Sequence, residues 1–158
     1  MTTRTHEQFP NPDEDYRLHP DAYRLGWGEA GVLTVEPYKS GLLPLWRFKT
    51  LEQAQLSADA LYAKFVSYRD EDDFVGMDMA RKFLQMGYTQ SRRYARHRSG
   101  RKFSSAGDAL PDAPDAEKQA SAEVFKAMWD TVRADDKYQR LKRLHQQRVA
   151  SARTKLRS

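Results

Sequence analysis

The chain contains no cysteine, which excludes a disulfide framework, a thiolate metal site and a cysteine nucleophile. Long apolar runs are missing too: nowhere do about 18 hydrophobic residues stand together, the length a membrane-spanning helix needs. The opening residues, MTTRTHEQFPNPDEDYR, have no apolar stretch behind a basic one, so no secretory leader is expected. Histidines are few and scattered, at His6, His19, His97 and His145, with no H-x-x-x-H or H-x-E spacing to hold zinc. No metal and no cofactor is therefore expected, no reacting pair identifies an enzyme, and a cytoplasmic setting is the expectation.

What is present suits one domain with a substantial core: 158 residues, 39% hydrophobic and 11% aromatic, with 31% charged. The net charge of +5 is distributed in blocks. Residues 51 to 75 are acidic, 76 to 103 strongly basic, 104 to 117 acidic again and 118 to 158 basic. Segregation of this kind favours a polyanionic partner more than an even spread would.

The densest block lies in DDFVGMDMARKFLQMGYTQSRRYARHRSGRKF, residues 72 to 103. At about 100° per residue, Phe74, Val75, Met77, Met79, Ala80, Phe83, Leu84 and Met86 cover most of a helical wheel. Asp78, Arg81, Lys82 and Gln85 are left on one narrow stripe. A helix so apolar belongs inside. Gly87 is the expected stop, because glycine readily takes the left-handed conformation that closes a helix, and Thr89 or Gln90 then opens a second helix. On it Arg92, Arg93, Arg96 and His97 share a broad face, continued by Arg98, Arg101 and Lys102, while Tyr94 and Ala95 turn inward. Helix, glycine turn and basic helix is also the order of a helix-turn-helix, a further reading of this segment.

Around this centre, residues 1–22 are polar and proline-bearing and read as a surface tail. In residues 23 to 48 the β-branched and aromatic residues, broken by glycine and proline, predict short strands at Gly31 to Glu36 and Leu45 to Lys49. Gly26, Gly28 and Gly31 match G-x-G-x-x-G, but a β-type run follows where a dinucleotide site needs a helix, so they read as turn formers. Thr50 and Gln53 form a capping-box pair that opens a helix running to about Arg69. The run Asp70, Glu71, Asp72, Asp73 then caps the central helix. Residues 104–115, SSAGDALPDAPD, have the chemistry of a surface loop. A helix with Val124, Phe125, Met128, Trp129 and Val132 on its inner face follows, with Phe83 and Trp129 expected in the shared core. Asp135 and Asp136 begin a last helix that turns Arg140, Arg143 and Arg148 outward and ends in a basic tail, 150–158.

The segments GVLTVEPYKS, LWRFKT, DDFVGMDMARKFLQMGYTQSRRYARH and KQASAEVFKAMWDTV together resemble the uncharacterised DUF4385 family of small bacterial and bacteriophage proteins, over roughly Tyr16 to His145. The resemblance implies an intact single domain in the cytoplasm, and brings no reaction, ligand or catalytic residue. The fold expected is α+β and mainly helical: one domain over 23–149 with a small N-terminal β-hairpin-like region and about five helices. The function expected is binding of nucleic acid, DNA or RNA, or another polyanion through Arg92, Arg93, Arg96, His97, Arg98, Arg101 and Lys102. Two alternatives stand beside it, a small enzyme acting on a phosphorylated substrate and a module that docks an acidic protein. A third outcome, pairing of the arginines with Asp70, Glu71, Asp72 and Asp73, would remove the need for a ligand.

Overall fold

The computed structural model describes residues 10–96 and 115–157, with side chains described as far as Ala152. Two short helices, α1 (Glu29–Val32) and α2 (Tyr38–Leu42), precede four long ones: α3 (Leu51–Asp70), α4 (Phe74–Arg96), α5 (Ala116–Arg133) and α6 (Asp136–Arg157). The central element is α4, against which α3 and α5 pack along most of their length, and they also pack on one another. Its residues Met77, Met79, Ala80, Phe83 and Leu84 are wholly buried. Phe83 is thus in the core as expected, whereas Trp129 packs against it only half-buried.

The expected hairpin is corrected: among the described residues there is no strand, and the β pairing is a single isolated parallel bridge between Asp15 and Glu36. The reason lies in the spacing of the apolar residues. Val32, Val35, Tyr38 and Leu42 are all buried, at steps of three, three and four, which is the repeat of a helix and not of a strand. The Val35 amide donates to the Val32 carbonyl at 3.1 Å and the Lys39 amide to the Val35 carbonyl at 2.8 Å, so the segment winds through helical turns. Leu45 to Lys49 likewise leaves a 3-10 turn, Leu43–Leu45, without pairing to a neighbour. The residues expected as an N-terminal tail are anchored from Pro10 onward. Tyr16 is buried, and its amide donates to the Glu36 carbonyl at 3.0 Å.

The expected helix starts are present. Thr50 Oγ1 accepts from the Gln53 amide at 3.1 Å, and Asp73 Oδ1 from the Gly76 amide at 3.0 Å. Asp135 Oδ1 accepts from the Tyr138 amide at 2.9 Å. Each satisfies a donor that the first turn of a helix leaves free. The break at Gly87 is corrected. Helix α4 continues through it to Arg96, so no turn separates the apolar segment from the arginines and no helix-turn-helix forms. Glycine is needed there for room: a Cβ at Gly87 would lie 2.6 Å from the Phe125 ring of α5. Gly76 has the same role against α3, where a Cβ would lie 2.4 Å from the Tyr68 ring.

Candidate functional site

At about 1.5 Å per residue, unbroken α4 holds its two ends roughly 30 Å apart. That length decides the self-pairing question for the arginines that are described. Asp72 pairs with Lys137 at 2.5 Å, and Asp73 accepts from the Tyr38 hydroxyl at 2.6 and 2.8 Å and lies 4.0 Å from Arg17. Those contacts are all at the N-terminal end of the helix, a helix length away from the arginines.

At the C-terminal end Arg92, Arg93 and Arg96 are exposed, while Ser91 and Ala95 face the core. Among the described residues no carboxylate lies within ion-pair distance of these three. Arg92 donates to the Tyr88 hydroxyl at 3.0 Å and sits 5.9 Å from that ring. Tyr88 in turn packs 5.9 Å from Trp129, whose indole carries Arg133 at 4.5 Å and Lys126 at 5.5 Å. Tyr88 therefore has a structural contact, which leaves the guanidinium groups as the accessible chemistry. His97, Arg98, Arg101, Lys102 and all but the last residue of 104–115, where a surface loop is expected, lie outside the described residues.

Beside this end, Trp46, Arg47, Phe48, Lys49, Tyr94 and Lys118 line a groove of about 610 Å³. Its floor is pinned. Lys118 Nζ donates to the carbonyls of Phe48 at 2.8 Å and Lys49 at 2.7 Å, and the Arg47 amide donates to Ser57 Oγ at 3.1 Å. With the backbone tied inward, the side chains of Arg47 and Lys49 are left exposed. Tyr94, expected to turn inward, half does so and lines the groove.

Of the narrow polar stripe of α4, Asp78 and Lys82 are buried and Arg81 and Gln85 partly so. Asp78 has 0% exposure. Its Oδ1 accepts from Tyr138 Oη at 2.6 Å and from Arg81 at 2.7 and 3.0 Å, and its Oδ2 from Tyr23 Oη at 2.5 Å, with Lys82 Nζ at 3.9 Å. Burial pushes the Asp78 carboxyl up, but the charges of Arg81 and Lys82 and the two tyrosine hydrogen bonds outweigh it and hold the group below the ordinary carboxylate range. The same burial, with Asp78 beside them, raises both tyrosines well above their usual value. Burial also lowers Lys82 to about 8, with Asp78 opposing the shift and Arg81 adding to it. His145, on the same side of α6, is buried against the Tyr23 carbonyl at 2.8 Å and is likewise lowered by burial.

Sequence reasoning placed Asp78, Arg81 and Lys82 on one stripe but missed that Asp78 and Lys82 are buried. The available signal was a carboxylate with basic partners at i+3 and i+4 on a helix otherwise too apolar to face water. Its tyrosine partners, 55 and 60 residues away, left no local sign.

Fold and sites together define a helical protein built on one buried helix, with a buried charge cluster inside and a cationic end outside. The chain belongs to the family described as a domain of unknown function (DUF4385), whose model matches residues 6–148. Comparison with curated proteins and with solved structures finds no match. Among the described residues no helix is long and apolar enough to cross a membrane.

Proposed function

We propose that the protein binds nucleic acid in the cytoplasm through the phosphate backbone, with Arg92, Arg93 and Arg96 as the contact residues within the described part of the chain. The observation that carries this reading is that three exposed arginines share the end of a rigid helix with no carboxylate in reach among the described residues. A helix C-terminus has a partial negative charge of about half a unit, which three guanidinium groups exceed several-fold. The surplus suits phosphate, since guanidinium presents a planar fork of donors to its oxygens. Arg98, Arg101 and Lys102 follow within a few residues in the chain and add to the same basic block, together with His97.

The test is the salt dependence of binding to short DNA and RNA. Each phosphate neutralised contributes about −0.9 to the slope of log affinity against log salt on a duplex, and about −0.7 on a single strand. Replacing Arg92, Arg93 and Arg96 by glutamine should flatten that slope and weaken binding. The matched triple at Arg140, Arg143 and Arg148, exposed on α6, changes net charge equally and should bind almost as the wild type does. Absence of binding at low salt, or equal losses in the two triples, would overturn the reading.

A further inference from the structure

The cluster around Asp78 is unbalanced, and a cavity opens on the unbalanced side. Arg81 and Lys82 bring two positive charges inside, with side chains only 15% and 8% exposed, and Asp78 brings one negative charge. Both oxygens of Asp78 are already committed to Arg81, Tyr138 and Tyr23. An ammonium has three donors, yet the hydrogen bond of Lys82 among the described residues is a long one of 3.5 Å to the Trp27 carbonyl. Its Nζ also lies 3.9 Å from Asp78 Oδ2, an oxygen already taken by Tyr23, and 5.0 Å from the face of the Tyr23 ring. The indole nitrogen of Trp27 is also buried with no acceptor among the described residues. Buried charge and buried donors left in this condition are costly, and native interiors seldom keep them without a partner.

Lys82, Arg81 and Trp27 all line one cavity of about 240 Å³ between α1 and the middle of α4, with Leu25, Val32 and Met86 as its apolar wall. We infer that this cavity binds a small organic anion, a carboxylate or phosphate ester with an apolar body, whose charged head pairs with the Lys82 ammonium. The head would supply the missing negative charge and accept from the Lys82 ammonium, and the apolar wall would take the rest of the molecule. This site is separate from the arginine end and does not rest on the nucleic-acid reading. Burial first, and then the charge of Arg81, lowers the pKa of Lys82, with Asp78 only partly offsetting them.

The titratable groups around Lys82 are Asp78 and Arg81 on α4, Tyr23 and Glu29 from the N-terminal segment, and Tyr138 on α6. Tyr23 and Tyr138 are raised, Asp78 is lowered and Arg81 is raised, so these four keep their protonation state from neutral to mildly alkaline pH while Lys82 loses its proton. Glu29 accepts from the Gln90 amide at 2.8 Å and is not within ion-pair distance of Lys82.

The experiment is calorimetric titration of the whole protein with benzoate, phenyl phosphate and the neutral analogue benzyl alcohol. One of the two anions should bind saturably at about 1 mM or tighter, and benzyl alcohol at least about tenfold more weakly. Whichever anion binds better assigns the head group as carboxylate or phosphate. Affinity should fall at least about tenfold between about pH 7 and pH 10 as Lys82 deprotonates, an effect that needs no variant. Lys82→Met should lose the pH dependence and the preference for the anion, whereas the Arg92, Arg93 and Arg96 glutamine triple should retain both. Equal binding of benzyl alcohol, binding unaffected by pH, loss in the arginine triple, or no saturable binding of either anion would overturn the inference.

Discussion

The two ends of α4 use the same residue types to opposite purposes. Toward its N-terminal end, Asp73 and Asp78 are surrounded by tyrosine, arginine and lysine partners, and both carboxylates act within the fold. Toward its C-terminal end, Arg92, Arg93 and Arg96 stand in solvent with no carboxylate near them among the described residues. The difference teaches that charge on this helix is structural where tyrosine hydroxyls and a helix face enclose it, and available where the neighbouring helices stop. Mutations of the enclosed carboxylates should register as stability, and of the outer arginines as nucleic-acid binding.

Asp78→Ala tests the inner end most severely. It strands Arg81 and Lys82 without their counter-ion, and should destabilise the protein by about 3–5 kcal/mol in denaturant titration. Tyr138→Phe removes one hydrogen bond to the same carboxylate and should cost about 1–2 kcal/mol. A small effect of Asp78→Ala would erase the contrast between the ends.

Gly87 lies between the two ends and reports on the packing that joins them. Gly87→Ala would ordinarily gain helix propensity, but here its Cβ meets the Phe125 ring, and a net loss of about 1–3 kcal/mol is expected. Gly87→Asn should lose at least as much, since asparagine tolerates a left-handed backbone but takes more room. An asparagine milder than alanine would restore the helix stop in place of continuous packing.

Lys82→Met should move stability the other way. The folded lysine titrates near 8 against 10.5 for the free side chain, so between those values the unfolded chain binds more protons and the wild type gains stability as pH rises. At neutral pH the charged lysine is a cost, and its removal should stabilise by about 1–3 kcal/mol. That advantage should shrink across the window from 8 to 10.5, as read from melting curves at stepped pH. The smallest effect belongs to the outer end: the glutamine triple at Arg92, Arg93 and Arg96 should melt with the wild type while losing nucleic-acid affinity.

Much of the helical frame was legible in local signals. Thr50, the run Asp70 to Asp73 and the pair Asp135 and Asp136 mark helix starts by residue type and position, and within them Thr50, Asp73 and Asp135 each accept the amide three residues on. These succeed because a cap is a contact between near neighbours in sequence. The errors come from contacts that sequence separation hides. Gly87 reads as a backbone stop because glycine commonly ends helices, whereas its reason for being glycine is a ring 38 positions further along. The β-branched content of residues 31 to 36 suggests a strand, although Val32, Val35, Tyr38 and Leu42 have the helical interval. Of the candidate site, the exposure of Arg92, Arg93 and Arg96 could be read from their amphipathic spacing. The depth of Asp78 shows in sequence only through its basic partners at i+3 and i+4, because Tyr23 and Tyr138 reach it from opposite ends of the chain.

Gly76 and Gly87 are eleven residues apart, close to three helical turns, so they lie on nearly the same face of α4. Tyr68 of α3 occupies one notch and Phe125 of α5 the other. Packed helices usually accommodate change by sliding past one another a little, but here a shift along the axis would drive both rings into backbone that has no space to yield. The three helices behave as one locked block. Any breathing that admits a molecule to the cavity at Lys82 must come instead from the short α1 segment, whose ties to α4 include the Gln90 to Glu29 hydrogen bond and the long contact of Lys82 with the Trp27 carbonyl.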